Sequence, residues 1–245
     1  MSPINSFDAG IISWLNHWAQ RSWTLDTAVV LISHSLIRAA AIVPLVYWAW
    51  FRRDDKDNSA EKIRDRGILV FGMVTCLFSL FIARIISKIA PFRVRPLHDP
   101  DLHFVLPYGM NSSTLLNWNS FPSDHAAVYF TLAMCIYFVS KRAGLLALGY
   151  TFFVTCIPRV YLGLHYPTDI LAGAALGIVM ASLALSPAIR TALTGRILQW
   201  QELYPGLFYA GFFLYAVQLA TAFELVRLLL DFLTAVTNHG NRIQH

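Results

Sequence analysis

Seven residues carry the chemistry that this sequence advertises: Lys88, Arg95, Ser123, His125, Arg159, His165 and Asp169. Arginine's planar fork matches phosphate oxygens, and lysine adds a compact positive charge. Ser123 follows Pro122 where an apolar run begins, so its hydroxyl and the next backbone N–H groups form a helix N-terminus, a natural anion site. Two histidines offer a nucleophile and a general acid. Asp169 lies four residues after His165, with Pro167 pre-set for a first helical turn. A carboxylate there can hold one imidazole nitrogen and leave the other free to attack. The chain has no HExxH and no CxxC. The implied reaction is phosphoryl transfer through a phosphohistidine, with no metal and no cofactor.

The elements that must position these residues are membrane helices. Of 245 residues, 56% are hydrophobic and 13% charged. A soluble domain carries about 25% charged residues, and the mean hydropathy here is +0.52. Each membrane helix needs roughly 20 apolar residues. Six candidate spans run 27–51, 67–90, 123–140, 143–160, 168–189 and 203–232. Ahead of them, Ile4, Phe7, Ile11, Trp14, Leu15 and Trp18 recur at helical spacing, with Asp8, Ser13, Asn16, His17 and Gln20 on the other face. That pattern predicts an amphipathic helix in the interface, its tryptophans at headgroup level; the alternative is a helix packed on the bundle. The expected fold is therefore all-α, a polytopic bundle of about six transmembrane helices plus an interfacial helix, in one domain over 1–245 with its motif-bearing core at 67–190. Gly173 and Gly177 form a small-xxx-small pair suited to close helix packing. No signal peptide is expected, because the first basic residue is Arg21.

Orientation follows from the basic residues. Arg52, Arg53, Lys56, Lys62, Arg64, Arg66, Lys141, Arg142, Arg190 and Arg196 collect on one side; Arg21, Arg93, Arg95 and Arg242 lie on the other. The positive-inside rule puts the first set in the cytoplasm and both termini outside. The net charge of +5 is scattered at span ends, which is membrane topology and excludes a nucleic-acid footprint. Cys76, Cys135 and Cys156 lie in apolar runs and read as small core residues. All seven chemical residues fall at the outer ends of four spans. The outer loop 91–122 is long and rich in proline and aromatic residues, a candidate binding element.

Three motifs carry a resemblance. Lys88-x6-Arg95-Pro96, Pro122-Ser123-Asp124-His125 and Arg159-x5-His165-x3-Asp169 resemble the K-x6-RP, PSGH and SR-x5-H-x3-D motifs of the type 2 phosphatidic-acid phosphatase superfamily, in the same order. The resemblance covers 88–169. It implies that His165 attacks phosphorus, Asp169 orients it, His125 protonates the leaving oxygen, and Lys88, Arg95, Arg159 and Ser123 hold phosphate oxygens. Pro158 stands where the family has serine, and one hydroxyl is lost there. Asp124 stands in place of glycine. "PSDH" with "HYP-x-D" and an outward N-terminal helix resembles the undecaprenyl-diphosphatase branch, which implies a bacterial inner-membrane enzyme that recycles a lipid carrier for cell-wall synthesis.

For a diphosphate substrate, Arg93 and Asp124 are the expected headgroup or second-phosphate residues; Asp124 could also orient His125 or a neighbouring arginine and so set the register of the headgroup. The alternatives are a phosphatase of phosphatidic acid, phosphatidylglycerophosphate or lipid A, a transporter or channel, and a non-catalytic lipid binder. Polar groups gathered at one surface argue against a transport path; intact histidines argue against a non-catalytic relative. The partners expected are a lipid phosphate and membrane lipids. Arg84, the i, i+4 pair His34 and Arg38, and Glu224, Arg227 and Asp231 remain charged groups without an assigned role, the last three favoured as structural pairs.

Overall fold

The computed structural model describes residues 5–52 and 59–221, and every regular element in them is helical. In chain order they are α1 (Ser6–Asn16), α2 (Trp23–Ile32), α3 (Ser35–Ala39), α4 (Ile42–Phe51), α5 (Ser59–Ile89), α6 (Asp124–Val139), α7 (Lys141–Tyr150), α8 (Ile157–Tyr161), α9 (Pro167–Ser182), α10 (Pro187–Leu203) and α11 (Pro205–Ala220). A π-helical turn, Thr151–Cys156, joins α7 to α8.

Among the described residues, three helices are long and apolar enough to cross a membrane: Ser59–Ile89, Lys141–Tyr161 and Pro167–Leu185. Trp23–Ile32 with Ser35–Phe51 makes a fourth if the pair counts as one span, bent by 61°. Asp124–Val139 and Pro205–Ala220 are apolar but shorter. The six expected segments are therefore present as helices, with two differences. The first is broken at Ser33–His34. The last is described only to Thr221, so the expected Glu224–Arg227–Asp231 group lies outside the described residues. The connector before α11 is itself a helix, α10.

Helix α6 is the central element, packed against α4, α5, α7 and α9. Its apolar residues run round the whole helix, as burial on all sides requires; Ala126, Ala127, Leu132, Ala133, Cys135 and Ile136 are almost fully enclosed. Close approach of α9 depends on its two glycines. A Cβ at Gly173 would stand 2.2 Å from the Ser123 carbonyl oxygen, and one at Gly177 would stand 2.5 Å from that of Ala127. The outer faces carry exposed Phe78, Phe81 and Ile85 on α5 and Leu171 and Val179 on α9, as helices facing lipid must.

Helix α1 corrects an expectation. Its Phe7, Trp14 and Trp18 are exposed, but Asp8, read as part of a solvent-facing polar face, is fully buried. Ile12 packs with Ala126, Cys156, Val160, Tyr166 and Ile170. The helix lies on α8 and α9, with Phe7, Trp14 and Trp18 outward, Ile11, Ile12 and Leu15 packed inward, and the Asp8 carboxylate turned into the bundle. A buried carboxylate is stable only where donors meet it.

Candidate active site

The end of α5, the start of α6, the end of α8 and the start of α9 meet at one end of the bundle, joined by the loop 90–122. Asn119 knits that loop. Its side-chain oxygen accepts from the backbone N–H groups of Arg93 and Phe121, both at 3.1 Å, and its amide donates to the Ser87 carbonyl at 2.8 Å. The other half of the loop is held by α1 and the turn after it. Asn16 exchanges two hydrogen bonds with the Val105 backbone, and Gln20 donates to the Leu106 carbonyl.

The turn after α8 brings His165 back toward Arg159. Gly163 has φ 66°, and a side chain there would collide with Leu97 and Phe104, so only glycine suits the position. The Arg159 carbonyl then accepts from the N–H groups of Leu164 (2.9 Å) and His165 (3.3 Å). His165 is 2% exposed. Its Nδ1 donates to the Ser120 carbonyl at 2.8 Å, which leaves Nε2 as the other nitrogen, without a hydrogen bond among the described residues. Burial pushes its pKa below the ordinary histidine value; the Asp169 carboxylate opposes this, and Arg95 and Arg159 reinforce it.

Asp169 stands beside His165, at the spacing expected, without a direct hydrogen bond to it. Its Oδ2 lies 3.8 Å from His165 Nδ1, beyond a hydrogen bond. The group bonded to the imidazole is the Ser120 backbone. Asp169 Oδ2 instead accepts from Ser120 Oγ (2.5 Å) and Tyr166 N (2.9 Å), closing a capping box at the start of α9. Its Oδ1 accepts from Arg93 at 2.6 Å. Asp169 therefore fixes Ser120, and Ser120 fixes His165.

Arg93, expected as a second-phosphate residue, is paired with two carboxylates. It bridges Asp169 and the buried Asp8 (2.7 Å), donates to Thr168 Oγ1 and lies 3.8 Å from the Tyr166 ring centroid. Burial alone would lower its pKa; Asp169 and Asp8 outweigh that and raise it. Asp8 also accepts from the Thr168 backbone N–H (2.9 Å) and hydroxyl (2.6 Å). A continuous polar layer thus runs from α1 through Arg93 to Asp169.

On the other flank, Asp124 holds His125. Its Oδ1 accepts from His125 Nδ1 at 2.6 Å, and its Oδ2 takes two hydrogen bonds from Arg84, at 3.0 and 2.8 Å. Asp124 thus orients both His125 and a neighbouring arginine. Arg84 also stacks over Trp118. Ser123 is fully buried and caps α6, its Oγ accepting from Ala126 N at 3.4 Å. Arg95 is buried, and three of its N–H groups reach the carbonyls of Trp118, Asn119 and Leu164. That leaves two of its five donors. Burial lowers its pKa. Arg159 is also buried, and its Nε has no hydrogen-bond partner among the described residues. It interacts electrostatically with His125, His165, Arg38, Arg95 and Asp124. Lys88 is exposed at the end of α5 and makes no hydrogen bond or ion pair among the described residues.

Six of the seven residues singled out by type and spacing are therefore gathered, and Lys88 stands at the rim. The sequence reading missed Ser120 and Asp8 and left Arg38 and Arg84 open. Ser120 acts through its carbonyl, which no residue type reveals. Asp8 had a signal in retrospect: a carboxylate early in an otherwise apolar segment.

An all-helical bundle with membrane-length apolar helices, and two histidines set among buried arginines at one end, is the architecture of a membrane protein with a cationic, histidine-bearing site. The PAP2 superfamily model matches residues 68–188, which include all seven of these residues; the chain belongs to the PAP2 superfamily. It is 24% identical over 172 residues to the bacitracin transport permease protein BcrC of Bacillus licheniformis, covering 69% of this chain and 74% of that one. It is 24% identical over 161 residues to the undecaprenyl-diphosphatase BcrC of Bacillus subtilis, covering 65% and 72%. It is 27% identical over 160 residues to the putative undecaprenyl-diphosphatase YbjG of Escherichia coli, covering 64% and 70%. No solved structure matches the chain significantly.

Proposed function

We propose that this protein is a lipid phosphatase that hydrolyses undecaprenyl diphosphate to undecaprenyl phosphate and inorganic phosphate on the outer face of the cytoplasmic membrane. The observation that carries the reading is Arg159: a buried guanidinium with an unpartnered Nε, coupled to two histidines. A buried cation of this kind is costly without an anion, and the nearby carboxylates are committed elsewhere. A phosphoryl group supplies that anion.

In the proposed mechanism the terminal phosphoryl group sits against Arg159, Arg95 and Ser123, with Lys88 at the entrance. His165 Nε2 attacks phosphorus while the Ser120 carbonyl holds Nδ1–H. The P–N bond forms as the bond to the bridging oxygen breaks. His125 Nε2 gives that oxygen a proton, and Asp124 stabilises the imidazolium beforehand. A water then attacks the phosphohistidine, with His125 taking its proton, and orthophosphate leaves. Undecaprenyl-diphosphatase names among the relatives support the substrate; the distribution of lysines and arginines supports the outward orientation and an inner-membrane location. One domain over the whole chain is the simplest organisation consistent with a single site.

Purified protein tests the reading by phosphate release from undecaprenyl diphosphate in excess EDTA. Turnover is expected to persist, and an acid-labile phosphoenzyme is expected in the wild type and not in His165→Ala. A fully active His165→Ala refutes the mechanism. Faster turnover of phosphatidic acid than of the diphosphate refutes the substrate.

A further inference from the structure

The bend in the first apolar span has a consequence for the site. The break falls just before His34, which starts α3, and Arg38 follows in the same short helix, its backbone N–H donating to the His34 carbonyl at 3.1 Å. His34 caps α3 and is exposed, whereas Arg38 is 6% exposed. The Arg38 guanidinium folds back to the Ser33 carbonyl that ends α2, interacts electrostatically with Tyr129, and places its NH2 group 3.4 Å from His125 Nε2. It also repels Arg159 across the site.

His125 Nε2 is the atom that, in the mechanism above, meets the bridging oxygen. Beyond that oxygen a monophosphate lipid has only carbon. A diphosphate lipid has a second phosphorus, one bond further on. A cation within hydrogen-bonding range of His125 Nε2 therefore lies where that second phosphate must sit. Charge balance agrees. Arg93 is matched by Asp8 and Asp169, and Arg84 by Asp124. Arg95 and Arg159 then face a headgroup of about three negative charges, since each phosphoryl group is singly ionised and the terminal one largely doubly so near neutral pH, so a further cation on the leaving side fits the charge.

We propose that Arg38 is the subsite for the leaving phosphate, the group that departs still attached to the lipid, and so sets preference for diphosphates over monophosphates. Arg93, on the far side of His165, cannot serve this group while bound to two carboxylates. The inference rests on the phosphatase reading above and deepens it.

The test compares farnesyl diphosphate with farnesyl monophosphate, in matched micelles, for the full chain and for Arg38→Gln and Arg38→Lys. Loss of a charge-assisted contact should lower kcat/KM on the diphosphate roughly 10- to 100-fold in Arg38→Gln. The monophosphate should fall about threefold or less, because its leaving oxygen carries no second phosphate. Arg38→Lys, which keeps the charge and loses the fork, should lie between. If Arg38→Gln does not fold, Arg38→Lys decides alone: an unchanged diphosphate preference overturns the inference. Parallel losses on both lipids, the result a purely structural staple would give, also overturn it while leaving the phosphatase reading intact. A wild type that releases phosphate from neither lipid removes both.

Discussion

Replacing Asp8 by asparagine probes whether α1 belongs to the site or merely covers it. Asp8 is fully buried, and its carboxylate receives Arg93, the Thr168 backbone and hydroxyl, and the Asn5 amide. Breaking a fully buried ion pair by removing one partner costs about 3–5 kcal/mol. Here the loss is smaller: asparagine keeps one acceptor oxygen, and Arg93 is 29% exposed and retains Asp169. A charged hydrogen bond, about 1.5–3 kcal/mol, is the better measure. About 2 kcal/mol expressed in catalysis is roughly a 30-fold loss of kcat/KM. It should fall mainly on kcat, since Asp8 reaches His165 only through Arg93, Asp169 and Ser120. The assay is phosphate release from undecaprenyl diphosphate by Asp8→Asn, Arg93→Gln and the double variant, with exposed Trp14→Ala as a control for α1 packing. Residues in one network couple by about 0.5–3 kcal/mol, so the double variant should lose less than the sum. Wild-type activity in Asp8→Asn, or strict additivity, refutes the idea that the carboxylate on α1 tunes the centre.

Three further outcomes follow from the same geometry. Ser120→Ala keeps the carbonyl that holds His165 and removes a donor from the buried Asp169; kcat should fall roughly 10- to 100-fold with KM little changed, and steady-state kinetics checks it. Gly173→Ala forces a methyl onto the Ser123 carbonyl, a rigid backbone atom at 2.2 Å; the loss should reach about 3 kcal/mol and appear as a lower unfolding temperature in detergent, whereas Gly10→Ala, with nothing within 4 Å, should be harmless. Burial lowers the His165 pKa, so the imidazole stays neutral and nucleophilic below the ordinary histidine midpoint; carbethoxylation of His165 followed by mass spectrometry should titrate below about pH 6.5, and a midpoint at or above it contradicts the burial argument.

What the sequence made legible follows physical lines. The histidines, Arg95 and Arg159 could be read because charged residues at the ends of apolar runs have few reasons to be there. Gly173 and Gly177 could be read because a small-residue spacing encodes a helix contact directly. Asp8 could not, because amphipathic periodicity assigns a whole face and not the one residue on it that finds buried donors; Asp8 turns into the bundle while Ser13, His17 and Gln20 of the same face stay exposed. The orienting partner of His165 could not, because spacing pairs His165 with Asp169 at i, i+4, whereas the fold interposes a backbone carbonyl from a loop 45 residues away. Arg38 depended on whether the first span breaks, and "ISHSLIRA" is compatible with a helix throughout.

Pro158 and the π-helical turn before it are best understood together. The apolar segment Lys141–Tyr161 runs through Pro158 without stopping. Proline there lacks an N–H, and its ring crowds the carbonyl four residues earlier, that of Val154. The widened turn at Thr151–Cys156 absorbs this conflict, because a π-bulge inserts one residue and shifts the register of those carbonyls. One inserted residue also rotates everything after it by about 100° relative to an uninterrupted helix. Arg159 is the next residue after Pro158. The rotation that accommodates the proline is therefore the same one that turns Arg159 inward, where its charge acts on both histidines. The serine found at this position in the resembling motif offers a hydroxyl to the site; this chain has instead a proline paired with a helical irregularity. The position then acts through the backbone, by aiming the guanidinium, and the hydrogen bond that the serine would make is not needed for the geometry observed around His125 and His165.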